Sequence, residues 1–449
     1  MNILSGLGPA VVTLLAFAGH RWQPVRLRQT VAVWVALVFI LTGVGSYHAI
    51  IDGHWSALLL VLTDLVAATS AWDSVWWGRE HPAMKARRYY VWWALFWASL
   101  IVIATADNLV LAWLAIEFSS LASGALIVEM GNRRALEAAW KYIVIASVGL
   151  FMAVVGIVFV YASLQSENLG WHTLDYANIH AHYQAIAPIV RQIATILIVS
   201  GIGTKAGLVP FHTWLPDAHS EAPSPVSGLL SGILLGLSLV TVDRFISSAP
   251  LPVATRLSGP HLLLFFGVLS VLVGTLALLV QGDVKRLLAY SSIEQMGITA
   301  IGFGIGTPFA HEAALLQLVF HAIIKSSMFY VGGHLSVAYG SKHLQRMTNM
   351  AVQQRGLAIA WAAGMLALAG LPPLGLAYSE WMILFGLWQS HLWIVLLVLS
   401  CSLALGFAAL LHHLVRGLWG NETTLSLQHE EVQSAMVVES LTASGGVIR

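Results

Sequence analysis

Apolar residues in this chain gather into long runs divided by short polar connections, and many runs approach the ~20 residues needed to cross a bilayer as a helix. Counting them predicts roughly 13 spans, centred near Leu14, Leu41, Leu65, Leu95, Ile116, Val148, Ile198, Leu234, Val271, Ile298, His321, a long broken run from Leu366 to Met382, and Leu403. The expected fold is an all-α polytopic membrane protein. The first run, Ile3 to Ala18, has no basic leader and no small-residue cleavage site, so it reads as a retained span. Gly and Pro interrupt two runs in corresponding ways, at Gly207 to Pro210 and at Gly370 to Pro373. Paired interruptions of this kind predict broken helices in two inverted five-helix repeats. The chain then divides into residues 1–88 with spans one to three, 89–247 as the first repeat, 258–418 as the second repeat with the last helix, and a tail over 419–449. That tail carries Glu422, Glu430, Glu431 and Glu439 with weak periodicity, and it reads as a solvated cytoplasmic extension.

Composition sharpens the membrane reading. Of 449 residues, 58% are apolar and only 10% charged, a balance that repeated bilayer spans explain directly. The formal net charge of +1 offers neither a nucleic-acid footprint nor a surface for acidic substrates. A single cysteine, Cys401, excludes an intrachain disulfide, an iron–sulfur cluster held by this chain alone and a cysteine zinc site. No cofactor or metal is expected on the chain, and any redox centre belongs to a partner. Walker, dinucleotide and nucleophile-elbow motifs are missing, which argues against ATP-driven transport and against a catalytic site here. Lys and Arg cluster at Arg21, Arg26 and Arg28, at Arg79 to Arg88, at Arg133 and Arg134, at Lys285 and Arg286, and at Lys342 to Arg355, each time after an odd-numbered span, while the intervening connections hold few beyond Arg191, Arg244 and Arg256. The excess of positive charge on cytoplasmic loops then places the amino terminus outside and the carboxyl terminus inside.

Charges stranded in mid-span carry the chemistry, because an ionisable group in the hydrocarbon is costly unless it faces a polar interior. Five stand out. Glu117 sits in VLAWLAIEFSSLASGALI, Lys205 just before the Pro210 break, His321 and Lys325 four residues apart on one helix face, and Glu380 beyond the second break. An acid, three bases and an acid in this order suit a proton relay: a Lys–Glu pair can store a proton, and changing its charge shifts its neighbours. Imidazole, which titrates nearest neutral pH, would let His321 pass protons between Lys205 and Lys325. The plainer alternative, that the five are buried pairs fixing helix register, is weakest for Glu117 and Lys205 and strongest for Glu380, which lies closer to an interface. Asp107, Glu129 and His334 lie near span ends, the paired tryptophans Trp76–Trp77 and Trp92–Trp93 flank basic loops as interfacial anchors, and His412 and His413 belong to the headgroup region.

Three stretches bring in a resemblance. The run GTKAGLVPFHTWLPDAHSEAPSPVSGLLSGILL, then DVKRLLAYSSIEQMGI and FHAIIKSSMFYVGGHL, resemble the core of the antiporter-like proton-translocating subunits shared by respiratory complex I, multisubunit cation/proton antiporters and membrane-bound hydrogenases. The similarity extends from about Trp93 to Leu387. The SEAPSPVS wording, the stretch from Glu137 to Gly149 and the modest length most resemble component F of hydrogenase-4 and formate hydrogenlyase complexes. By that resemblance Glu117 takes the place of the fifth-helix glutamate, Lys205 the seventh-helix lysine paired with it, His321 and Lys325 the eleventh-helix pair, and Glu380 the terminal ionisable residue of the twelfth helix. Where many members carry Lys or His in the eighth helix, this chain has Gly236, so a path between Lys205 and Lys325 must run through water, through Ser231 or Ser238, or not at all.

The resemblance implies a proton-translocating subunit in a bacterial inner membrane, with further membrane subunits and a soluble hydrogenase-like redox module as partners. The same ion path would also serve the membrane half of an inorganic-carbon uptake system with a zinc-bearing, carbonic-anhydrase-like partner, or a sodium/proton antiporter component. A membrane anchor that has lost transport is a fourth reading, with Gly236 its best argument.

Overall fold

The computed structural model describes residues 3–18, 24–82, 84–167, 169–251 and 257–420. Most of the predicted tail, with Arg21 and Arg256, lies outside the described residues. The fold is nearly all helix. In order these are α1 (Ile3–Ala18), α2 (Pro24–Ile51), α3 (Trp55–Glu80), α4 (Ala86–Thr105), α5 (Leu109–Val128), α6 (Arg133–Ser163), a short α7 (Tyr176–His182), α8 (Pro188–Lys205), α9 (Trp214–Glu221), α10 (Ser224–Leu229) and α11 (Leu235–Ser248). There follow α12 (Gly259–Val280), α13 (Val284–Gly304), α14 (Pro308–Ala338), a one-turn α15 (Met350–Gln353), α16 (Arg355–Leu368), α17 (Gly375–Gln389) and α18 (Trp393–Trp419). A π-turn over Leu230–Leu234 joins α10 to α11.

Nine of the described spans are long and apolar enough to cross a membrane, making this a multi-pass membrane protein. The difference from roughly 13 has a physical origin: the other four predicted runs form α1, which is short, α8 and α13, which carry buried polar side chains, and the broken α16–α17 pair. Burial sorts centre from rim. The Ser224–Ser248 span is buried along its whole apolar window, whereas only 28% of that of Trp393–Trp419 is covered, so α10–α11 form an inner column and α18 an outer wall. Large apolar side chains such as Phe151, Val158 and Ile394 stay exposed on the outward faces, as lipid contact requires.

Both predicted breaks are present. α8 ends at Lys205 and the chain turns at Gly207 (φ +77°), and α16 ends at Leu368 with a turn at Gly370 (φ +69°). Only glycine holds this left-handed backbone without strain. Side-chain caps start the helices that matter most to the site. Asn108 accepts from the backbone of Val110 and Leu111 at the start of α5, and Asp283 accepts from that of Lys285 and Arg286 at the start of α13.

The α6–α8 contact is made by small residues. A Cβ on Gly201 would lie 2.5 Å from the Gly149 carbonyl oxygen, and one on Gly149 would lie 2.4 Å from Thr204 Oγ1. Helix pairs in lipid depend on such close approach. Gly201→Val is therefore expected to lower stability by about 1–3 kcal/mol, read as an earlier thermal unfolding transition of the detergent-solubilised protein. An unchanged transition would show that the helices can separate without cost.

Candidate functional site

Lys205 is fully buried at the last turn of α8, and the tight α6–α8 seam carries it against α5 and α6. Its Nζ donates to Ser120 Oγ at 2.7 Å and to the Tyr142 hydroxyl at 2.5 Å. The ammonium also lies 4.5 Å from the centre of the Tyr142 ring and 5.7 Å from that of Trp214. Tyr142 in turn shares a 2.8 Å hydrogen bond with Ser123, which extends the hydroxyl shell along α5.

Glu117, one turn before Ser120 on α5, does not touch the lysine. Its Oε1 accepts from Ser147 at 2.7 Å, and its Oε2 is buried without a hydrogen-bond partner. The ion pairs among the described residues do not include Glu117 with Lys205, although the two interact electrostatically. The two groups expected from the sequence to pair are thus a carboxylate and an ammonium each bonded to hydroxyls of its own, Ser147 for Glu117 and Ser120 and Tyr142 for Lys205. Proton position can change in such an arrangement without breaking a salt bridge first.

On α14, His321 and Lys325 share one face as their spacing predicts, and both are fully buried. Lys325 Nζ donates to the Leu288 carbonyl at 2.9 Å. His321 Nε2 lies 3.2 Å from the Ser231 carbonyl, leaving Nδ1 without a partner. Ser231 belongs to the π-turn, and its hydroxyl lies 2.7 Å from that of Ser292, which donates to the same Leu288 carbonyl at 2.9 Å. His321 and Lys325 therefore share a face of α14 and are linked through Ser231, Ser292 and Leu288. π-turns recur at functional sites because they displace the backbone from its regular partners.

Ser238 is not brought into this network, because its hydroxyl donates to Leu234 within its own helix at 2.8 Å. A Cβ on Gly236 would meet Leu318 of α14 at 3.0 Å. At this point in the chain α11 and α14 pack together, and the polar contact with α14 is made earlier in the chain, at Ser231.

Glu380 is buried on α17, and its Oε1 accepts from Gln295 at 3.2 Å. Gln295 is also hydrogen-bonded to Gln317, which accepts from Ser379. A Cβ on Gly370 would lie 2.4 Å from Glu380 Oε2, so the second break clears space for the carboxylate. Glu380 is thus enclosed by the protein rather than exposed at its surface.

The residues set aside in the sequence behave as packing and anchoring groups. Glu129 is ion-paired with Arg88, His334 pairs with Asp73 at 2.7 Å and stacks on Trp76, and His413 donates to the Leu278 carbonyl at 2.9 Å. Two buried mid-span acids were not among the five charges singled out. Asp64 of α3 accepts from Trp97 at 2.9 Å, and Glu294 of α13 accepts from Thr275 at 2.7 Å. For Glu294 the signal was available, since it stands within an otherwise weakly charged helix, but the surrounding serines and glutamine disguise it as a polar stretch.

A polar cavity of about 230 Å³ opens among α6, α9 and α13, lined by Arg134, Glu137, Lys141, Asp217, Glu221 and Arg286 among others. Lys141 pairs with Glu137 at 2.6 Å and lies 3.7 Å from Asp217, which is also paired with Arg286. Lys141 directly precedes Tyr142, so this charged mouth and the Lys205 shell draw on adjacent residues of α6.

Residues 106–406, enclosing all five candidate charges, match the family described as NADH:quinone oxidoreductase/Mrp antiporter, TM. The chain belongs to that transmembrane family. It is 35% identical over 308 residues to a hydrogenase-4 component F homolog of Methylacidiphilum infernorum, covering 68% of this chain and 64% of that protein. It is 30% identical over 317 residues to NADH-quinone oxidoreductase subunit N of Desulforudis audaxviator, covering 70% of this chain and 61% of that one. The aligned part is under two thirds of the length of either relative. Among solved structures it resembles a chain of the archaeal membrane-bound sulfane sulfur reductase (TM-score 0.80, 19% identity, 98% of this chain and 95% of that one). A chain of the Mrp complex from Dietzia gives a TM-score of 0.79 at 20% identity, covering 94% of this chain and 81% of that one. These two likenesses establish the shared fold and nothing finer.

Proposed function

We propose that this chain is the proton-translocating membrane subunit of a redox-driven complex of the hydrogenase-4 or complex-I kind. The observation that carries the reading is the buried set of titratable side chains at the helix breaks and the π-turn, joined by hydroxyls and carbonyls rather than locked in ion pairs. In this reading protons enter through the charged mouth beside Lys141, reach Lys205 through the hydroxyl shell, and continue to His321, Lys325 and Glu380. Redox energy released in a partner alters the charge on Glu117, which makes Lys205 gain or release its proton. Water and the Ser231–Ser292 crossing substitute for the eighth-helix base that Gly236 lacks.

Residues 89–247 and 258–418 are read as two repeats, supported by the Gly207 and Gly370 turns and by the polar N-caps Asn108 and Asp283. The bacterial inner membrane, with the amino terminus outside, is the expected setting, from the Lys and Arg distribution. The partners are expected to be further membrane subunits and a soluble hydrogenase-like module.

Tyr142→Phe tests the entry step, since it removes the hydroxyl at Lys205 and leaves the ring in place. Coupled proton movement is expected to fall about tenfold with the complex intact; full activity would exclude a route through the tyrosine. The partner reading is tested by purifying the complex through a tag on this chain and identifying the other subunits. Membrane subunits with a redox module are expected. A large zinc protein of the carbonic-anhydrase kind in their place would overturn the redox reading in favour of carbon uptake.

A further inference from the structure

Glu294 lies on α13, where the run Leu287–Ala289 and the continuous stretch Ser291–Gly304 are buried, and the residue itself is 3% exposed. Among the described residues its one side-chain hydrogen bond is from Thr275 Oγ1 on α12, and it forms no ion pair within 4.0 Å. Bare backbone surrounds it. A Cβ on Gly274 of α12 would lie 2.8 Å from the Glu294 backbone nitrogen, and one on Gly406 of α18 would lie 2.6 Å from its Oε1. Gly274 thus lets the α12 and α13 backbones close on each other, and Gly406 of α18 leaves room for the carboxylate, in a span where a neutral side chain would cost less.

Its surroundings point towards the ionisable groups at either side. Glu294 interacts electrostatically with Lys325 of α14, and with Glu380 of α17. The next residue, Gln295, donates to Glu380 and belongs to the Gln295–Gln317–Ser379 network. A register device needs only an acceptor for Thr275, which a glutamine would supply as well. An acid without an ion pair among the described residues, one position before the Gln295 that donates to Glu380, has a use that glutamine lacks, since it can take up a proton and give it away.

We propose that Glu294 is a proton-carrying residue of the second half of the chain, through which protons pass between Lys325 and Glu380. The Lys325 ammonium gives one proton to the Glu294 carboxylate, becoming a neutral amine. The resulting Glu294 carboxylic acid gives that proton, by way of water, to the Glu380 carboxylate and returns to its anionic form. Charge moves one residue at a time and no redox step occurs in this chain. The inference rests on the proton-translocating reading above and adds a residue to it.

The test compares wild type, Glu294→Gln, Glu294→Asp and Lys205→Ala in the complete complex, purified through this chain and reconstituted into liposomes at equal incorporation. Internal pH is followed with a trapped dye while the driving reaction runs. Glu294→Gln, which keeps the acceptor for Thr275, is expected to lower coupled proton movement at least about tenfold with assembly unchanged, and Glu294→Asp to restore most of it. Wild-type proton movement in Glu294→Gln alongside loss in Lys205→Ala would overturn the inference alone and leave Glu294 a packing residue. Normal movement in both variants would overturn the inference and the proton-translocating reading together. Should Glu294→Gln fail to assemble, Thr275→Val decides: removing the hydroxyl is expected to slow proton movement about threefold, and an unaltered rate would reject the assignment.

Discussion

Lys205→Arg is expected to stop coupled proton movement as completely as Lys205→Ala does, although it preserves the positive charge. The reason lies in what arginine cannot do. A guanidinium stays protonated at any pH a protein survives, so it can anchor charge but cannot release a proton. Lys205 donates to two hydroxyls and faces two aromatic rings with no carboxylate in contact, an environment that allows its amine form as well as its ammonium form. A lysine that merely fixed the register of α8 against α5 and α6 would tolerate Lys205→Arg better than Lys205→Ala. The relay requires both to fall by at least about a hundredfold in dye-reported proton uptake, with the driving redox reaction slowed or uncoupled and the subunits still co-purifying.

Lys325→Met is the second large effect, and it separates function from stability. Methionine fills nearly the same volume, and taking a buried charge out of an apolar setting is often neutral or stabilising. Lys325 is fully buried with the Leu288 carbonyl as its hydrogen-bond acceptor, so Lys325→Met removes one hydrogen bond while relieving the desolvation of an ammonium. Thermal stability is expected to hold or rise, while proton movement falls at least about tenfold because the step between His321 and the α17 acid is lost. A fall in stability with transport preserved would make Lys325 a structural residue.

Much of this was legible in the chain itself. Glu117, Lys205, His321, Lys325 and Glu380 could be picked out because hydrocarbon penalises charge so heavily that a mid-span charge must have a reason. The breaks were readable from Gly207 to Pro210 and Gly370 to Pro373 because glycine and proline act locally on the backbone. What lay beyond reach depends on long-range geometry. Sequence spacing could suggest that Glu117 and Lys205 are partners, yet it could not show that Ser120, Tyr142 and Ser147 take up their hydrogen bonds instead. Ser231 and Ser238 looked equivalent as stepping stones until the π-turn presented Ser231 to Ser292 and left Ser238 bonded to its own helix. The number of spans is the hardest feature to read from hydropathy, because polar helices such as α13 owe their burial to neighbouring helices and not to their own composition.

The measurement that bears most directly on proton translocation is the internal pH of liposomes containing the complex purified through this chain, recorded during turnover for wild type, Glu117→Gln and Lys205→Ala at equal incorporation. The account predicts acidification or alkalinisation by the wild type that collapses with an uncoupler and is lost in both variants while the complex stays assembled. Proton movement equal to wild type in both would contradict it, and the buried charges would then be structural devices of a membrane anchor.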